Sequence, residues 1–141
     1  IVKKLYDVKG HLYAATTYLD QLGNPKSIDE LNNANFIDVE KSGRLLSLLN
    51  AQGFNLSSRN FPVITKNHIV QWELVKHGVA ITGMLEQIGD HEPLVERLVI
   101  PGLDPITAEL WIVTHKELRT NRRVRMVFDF LVSEFANYQY K

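Results

Sequence analysis

The chain has 141 residues, 45% hydrophobic and 23% charged, with sixteen acidic side chains balancing sixteen basic ones. That length suits one domain able to bury roughly two thirds of its unfolded surface, and the even balance leaves the whole chain without the electrostatic footprint of a nucleic-acid binder. Cysteine is absent, which excludes disulfides, zinc–thiolate centres and thiol catalysis; no apolar run nears the roughly 18 residues of a membrane span, and no secretory signal is visible.

In chain order, Ile1–Leu5 and His11–Ala15 read as two short strands separated by the turn-rich Asp7–Gly10. Thr16 and Thr17 lead into a short helix, Tyr18–Leu22, closed by Gly23, and Asn24-Pro25 marks a turn. Ser27 has the place of an N-cap, with Glu30 completing a capping box for a brief helix, Ile28–Asn33. Asn35–Val39 alternates enough for a strand. Glu40–Gly43 follows as a loop, and Arg44–Gln52 as a helix with a leucine cluster, ended by Gly53.

The most informative stretch is Asn60 to Gln87: a strand, Phe61–Thr65, a helix, Asn67–His77, and a short strand, Val79–Thr82. Asn67 can cap the helix by accepting from an orphan N–H of the first turn, and Gly78 suits the left-handed position just past its end. Both flanking strands are apolar and β-branched, so the default is a right-handed βαβ unit with parallel strands. Parallel sheets place ligands at the carboxyl ends of their strands. Here those ends are Thr65–Asn67 and Thr82–Met84, with Gly83 giving backbone access and opening another helical turn, Met84–Ile88. The plainer reading is that these are ordinary loop and cap residues.

Leu94–Ile100 and Ile106–His115 read as the last strands, separated by a turn at Pro101–Pro105. The final helix, Leu118–Asn137, is amphipathic. At about 100° per residue, Val124, Val127, Phe128, Leu131, Val132 and Phe135 share an arc of about 140°. Arg119, Arg122, Arg123, Arg125, Asp129 and Ser133 lie opposite, and Met126 and Phe130 fall outside the stripe as a second contact. With Lys116, the arginines form a basic run, but acidic neighbours and the lack of interleaved aromatics favour a solvated face or a subunit contact over nucleic acid. About seven short strands alternating with helices make this an α/β chain.

No catalytic motif is visible, so an enzyme is not expected. There is no G-x-S-x-G, P-loop or G-x-G-x-x-G. The five histidines, His11, His68, His77, His91 and His115, form no HxxxH or HExxH pattern, so neither a metal nor another cofactor is expected. His68 and Trp72, four apart on one helix, are expected to pack together.

The order of motifs resembles the effector-binding region of LysR-type transcriptional regulators, over essentially the whole chain. Leu12–Leu19 followed by Gly23-Asn24-Pro25 is similar to the family's V-A-S-P-x-Y-L…G-x-P, with Thr17 in place of the proline. Ser27–Leu31 resembles the P-x-D-L helix. Val75–Met84 resembles V-A-x-G-x-G-I-A-x-L-P, with Ala80 for the second glycine and no proline after Met84. Glu109–Arg119 and Arg122–Leu131 resemble the closing strand and helix.

The resemblance implies a type II periplasmic-binding-protein-like (Rossmann-like) lobe with a mostly parallel central sheet. Residues 11–115 would be the second lobe with both crossover strands, His11–Ala15 and Ile106–His115. Residues 1–10 and 116–141 would be remnants of a first lobe, so the chain, which opens on Ile1, would be a piece of a longer protein. The last helix should then be covered by another chain or left partly exposed. The second-lobe wall of an effector cleft would come from Ala15, Thr16, Glu40, Lys41, Ser42, Thr65, Lys66, Asn67, Gly83 and Met84. Hydroxyls, a capping amide and helix N–H groups suit an anionic or polar metabolite, although Glu40 and Lys41 could instead pair at the surface. The resemblance further implies a cytoplasmic homo-oligomer, not an enzyme and without a membrane partner, that meets DNA only through a winged helix-turn-helix absent from this chain. A transport-type solute-binding protein of the same topology and a pure dimerisation module are the alternatives.

Overall fold

The structure, a computed structural model, describes residues 2–138, so Ile1 and the end of the last segment, 139–141, lie outside it. It divides into two compact units, residues 10–106 and residues 1–9 with 107–141.

The strand β1 runs unbroken from Val2 to Ala15, where the sequence suggested two strands and a turn. Alternation explains the difference: Tyr6 and Val8 are buried while Asp7 and Lys9 are exposed, a period of two that outweighs the turn propensity of Asp and Gly. Asp7 is drawn instead into an ion pair with Lys4 at 2.8 Å.

In the larger unit β1 is central. The strand β4 (Thr82–Leu85) pairs with it antiparallel, Tyr13 opposite Thr82, and β5 (Val95–Arg97) pairs antiparallel on its other side, Ala15 opposite Val95. The expectation of a mostly parallel central sheet is therefore corrected: the sheet around β1 is antiparallel. Parallel pairing is confined to β2 (Ile37–Asp38) with β3 (Val63–Ile64) and to a bridge between Phe36 and Ile81. The physical reason lies in β1, which runs opposite to both of its neighbours in the larger unit, β4 and β5. The run Val79–Thr82 does continue the local parallel layer, with the Ile81 N–H donating to Asn35 O at 2.8 Å. It then carries straight on into β4, so Gly83 and Met84 lie in a strand rather than opening a helix. The helical turn begins later, as α4 (Glu86–Gly89).

The other helices of this unit are α1 (Thr16–Gln21), α2 (Arg44–Ala51) and α3 (His68–Lys76), with 3₁₀ turns at Asp29–Leu31 and Ser58–Asn60. The Ser27 Oγ accepts from the Glu30 N–H at 3.4 Å, but the helix expected there closes after a single 3₁₀ turn. Asn67 caps α3, accepting from the Ile69 and Val70 N–H groups at 3.1 and 3.2 Å. At its other end Gly78, with φ of 75°, donates to Val75 O and Val79 to Leu74 O, which satisfies two of the last carbonyls.

The core holds Phe36 with Phe54 and Phe61, ring centroids 6.1 and 5.7 Å away, and a second cluster around Tyr13, Ile37 and Val75. Burial of each large apolar side chain contributes about 1.5–3 kcal/mol. Trp72 meets the Tyr13 ring edge-on at 6.0 Å, so it packs on β1.

In the smaller unit, β6 (Ile106–Val113, entering from the larger unit) pairs with β1, and Lys4 reaches Glu109 at 2.6 Å. After a 3₁₀ turn at Lys116–Leu118 comes α5 (Arg122–Tyr138). Its stripe of Val124, Phe128, Leu131, Val132 and Phe135 is half-buried, Val127 is exposed, and no described residue of α5 is fully buried. Lys116, Arg119, Arg122, Arg123 and Arg125 are exposed, as a solvated face requires.

Candidate ligand-binding site

The carboxyl ends of β2 and β3 turn outward side by side, because the Thr65 N–H donates to Asp38 O at 3.0 Å. Asp38 is buried, and its carboxylate accepts from the Val39 N–H at 2.7 Å and from the Leu45 N–H at 3.3 Å. It thereby caps α2 from outside that helix, whose own cap position is Gly43 at φ of 72°. Thr65 Oγ1 accepts from the Asn67 N–H at 3.2 Å. Gln71, 3% exposed, donates through Nε2 to Thr65 O at 2.9 Å, and His68 Nδ1 lies 3.2 Å from Gln71 Oε1. Thr82 Oγ1 donates to Ile37 O at 3.3 Å.

Two open depressions flank this network and share Val39 in their walls. One, of about 470 Å³, is lined by Glu40, Lys41, Ser42, Thr65 and Lys66 with Val39 and Ile64. The other, of about 280 Å³, carries Asp38, His68, Gln71, Thr82 and Gly83 among apolar walls that include Leu45 and Ile106. The larger is within the roughly 300–1,000 Å³ typical of small-molecule pockets, and the smaller is just under it. Lys41 and Lys66 are exposed and, like Glu40, have no ion-pair partner among the described residues. A cation that makes no ion pair of its own is free to meet a ligand's charge. A Cβ at Gly83 would meet open space, which is consistent with backbone access there.

Of the residues expected from the sequence, Glu40, Lys41, Ser42, Thr65 and Lys66 thus surround one depression and Gly83 borders the other. The remaining four line neither. Ala15 is buried in the core, the Thr16 N–H donates to Leu94 O at 3.3 Å, Asn67 is committed to its cap, and Met84 packs against the Tyr13 cluster. Sequence reasoning did not single out Asp38, Arg44, His68 or Gln71 for this wall, and named Thr82 only within the strand end Thr82–Met84. Asp38 and Thr82 were visible as polar residues inside apolar runs. Gln71 gave a weaker signal, a lone amide at a position that the helix buries.

A second polar cluster lies on β1, α4 and β5. His11 Nε2 is 2.9 Å from Glu86 Oε2, which is 3.5 Å from the Arg97 guanidinium. Arg97 also grips Asp90 through two nitrogens, and the Tyr13 hydroxyl donates to Asp90 at 2.7 Å. Burial, reinforced by Asp90, pushes the Tyr13 phenol up to about 12. Burial opposes ionisation of Asp90, but hydrogen bonds from Tyr13 and Arg97 outweigh it and hold that carboxyl below the usual range. These groups are matched to one another, so the cluster reads as a lock between strands and helix. A third groove, along α5 and β6, is about 370 Å³ and mainly apolar, and holds none of the candidate residues. Among the described residues no group of side chains could hold a metal ion, and no helix is long and apolar enough to cross a membrane.

Residues 1–136 match the profile of the family described as LysR substrate binding domain. No curated relative matches the chain in sequence. The fold is similar to that of CrgA, a LysR-type transcriptional regulator from Neisseria meningitidis, at 23% identity and a TM-score of 0.78, covering 96% of this chain and 47% of that one. Against the CrgA regulatory domain alone the TM-score is 0.77 at 23% identity, covering 96% of this chain and 68% of that one. The regulatory domain of CcmR from Synechocystis PCC6803, in complex with 2-PG, gives 0.69 at 16% identity, covering 97% and 67%. The chain thus spans about half the length of the full CrgA regulator.

Proposed function

The chain belongs to the family of LysR substrate binding domains, and from that premise we propose that it is the effector-sensing part of a LysR-type DNA-binding transcriptional regulator. Such regulators are generally not enzymes, and the transport reading is not favoured by the family. Residues 11–115 would be the second lobe, with residues 1–10 and 116–141 belonging to the first. The half-buried stripe of α5 supports that division, because a helix of a complete lobe would bury such a stripe.

The observation that carries the site is the lysine-bordered depression at the ends of β2 and β3, where Lys41 and Lys66 make no ion pair. It favours an anionic metabolite, with Ser42 and Thr65 supplying hydroxyls and Gly83 an open backbone. The similar CcmR regulatory domain was solved in complex with 2-PG, which is consistent with this use of the fold. The full regulator would work as a cytoplasmic homo-oligomer. Binding would favour one arrangement of lobes and subunits, by no more than the ligand's differential affinity for the two states, and so reposition distant DNA-reading heads.

The test is thermal unfolding of the intact sensor against a metabolite panel, since binding to the native state must raise the midpoint. At least one anionic metabolite should raise it. A pure dimerisation module would respond to none. The 141-residue chain alone, holding one wall of the cleft, should bind the same compound weakly, and micromolar binding by calorimetry would argue against the two-lobe account.

A further inference from the structure

The hydrogen bonds around Gln71 fix the protonation pattern of a neighbouring ring. A backbone carbonyl can only accept, so the Gln71 contact to Thr65 O at 2.9 Å places the amide NH₂ there. Gln71 Oε1, also only an acceptor, then faces His68 Nδ1 at 3.2 Å, and a neutral His68 must carry its proton on Nδ1. Nε2 is left as a bare acceptor on an exposed ring that lines the smaller depression, and no described residue bonds to it. The other polar groups there lean the same way. Thr82 has turned its hydroxyl proton to Ile37 O, and Asp38 offers carboxylate oxygens. Donors sit at the edge and next door: Arg44, Lys41 and Lys66, each exposed and without an ion-pair partner among the described residues.

We propose that the effector is a hydroxy acid, with His68 as the residue that reads its hydroxyl and Gln71 as the positioning residue that holds His68 in the accepting tautomer. The inference rests on the effector-sensing reading above and deepens it. The acid group meets the cationic side, while the hydroxyl donates to His68 Nε2. A neutral hydroxyl meets that acceptor without adding charge to a depression that already holds the Asp38 carboxylate and the Arg44 guanidinium.

The experiment uses the full-length regulator and acids of equal charge that differ by one hydroxyl, malate with succinate and lactate with propionate. A site built to bond a hydroxyl discriminates against the analogue that lacks it. At least one hydroxy acid should bind about ten-fold or more tightly than its deoxy partner. His68→Phe should level that pair while lowering the melting midpoint only slightly, through the lost bond to Gln71 Oε1. Gln71→Ala should also level it, and ¹⁵N spectra should show the His68 proton leaving Nδ1 for Nε2. A purely structural Gln71 would lower stability and leave the tautomer unchanged, which overturns its positioning role. Equal binding within both pairs, or silence from both hydroxy acids, overturns the ligand class. If other acids in the metabolite panel still bind, sensing stands and only this inference falls; if no compound of any class moves the midpoint, the sensing reading itself fails.

Discussion

Gly89 lies flat against the ring of Tyr13: a Cβ built on Gly89 would come within 2.2 Å of Tyr13 Cζ. Tyr13 is wholly buried and held at both ends, by Trp72 on its edge and Asp90 at its hydroxyl, so it has nowhere to retreat. Gly89→Ala should therefore destabilise the chain by about 3 kcal/mol or more. Urea unfolding checks this. In a Tyr13→Leu background the added cost of Gly89→Ala should shrink, because the ring is gone.

The same tyrosine makes stability depend on alkaline pH. Its phenol is pushed up to about 12 in the folded chain against a usual value of 10.0. A raised value means that the folded state keeps a proton that the unfolded state releases. The contribution is thus complete below about 10 and lost as pH rises towards 12. Tyr13→Phe should cost about 1 kcal/mol at neutral pH through the lost bond to Asp90, and should flatten this alkaline decline. Unfolding midpoints measured across that window decide it.

The Asn60 side chain bonds three backbone groups on two segments. Its Nδ2 donates to Asn32 O and Ala34 O, each at 2.9 Å, and its Oδ1 accepts from the Ser57 N–H at 3.0 Å. It is 4% exposed, so Asn60→Ala strands polar atoms away from water. The expected loss is about 3 kcal/mol. Asn60→Asp should not restore it, because a carboxylate cannot donate to the two carbonyls. Chemical denaturation of the three proteins measures both effects.

Local chemistry made much of this fold legible. The Asn67 cap and the Gly78 stop bounded α3 within a residue, because both act through bonds inside a few positions of chain. The amphipathic period of α5 located the last helix for the same reason. What could not be read was pairing at a distance. The β-branched runs around α3 identified a parallel layer but not that β1 crosses the neighbouring sheet in the opposite sense, so the expected parallel sheet became an antiparallel one. Glu40, Lys41, Ser42, Thr65 and Lys66 could be grouped because strand ends in a parallel pair share one edge. Gln71 and Asp38 escaped, since their importance lies in which backbone groups they meet after folding. Gly89 escaped as well; nothing near it in sequence announces Tyr13.

Lys41 and Lys66 give the most direct test of the ligand-binding wall. Both are exposed and make no ion pair among the described residues, so replacing them with alanine should change stability by no more than about 0.5 kcal/mol. Calorimetry of the intact sensor with an anionic compound that raises its melting midpoint is the decisive measurement. The account predicts that the double substitution weakens binding at least about ten-fold, as expected when charge-assisted bonds are lost. Unchanged affinity in the double variant would place the ligand elsewhere and contradict the account.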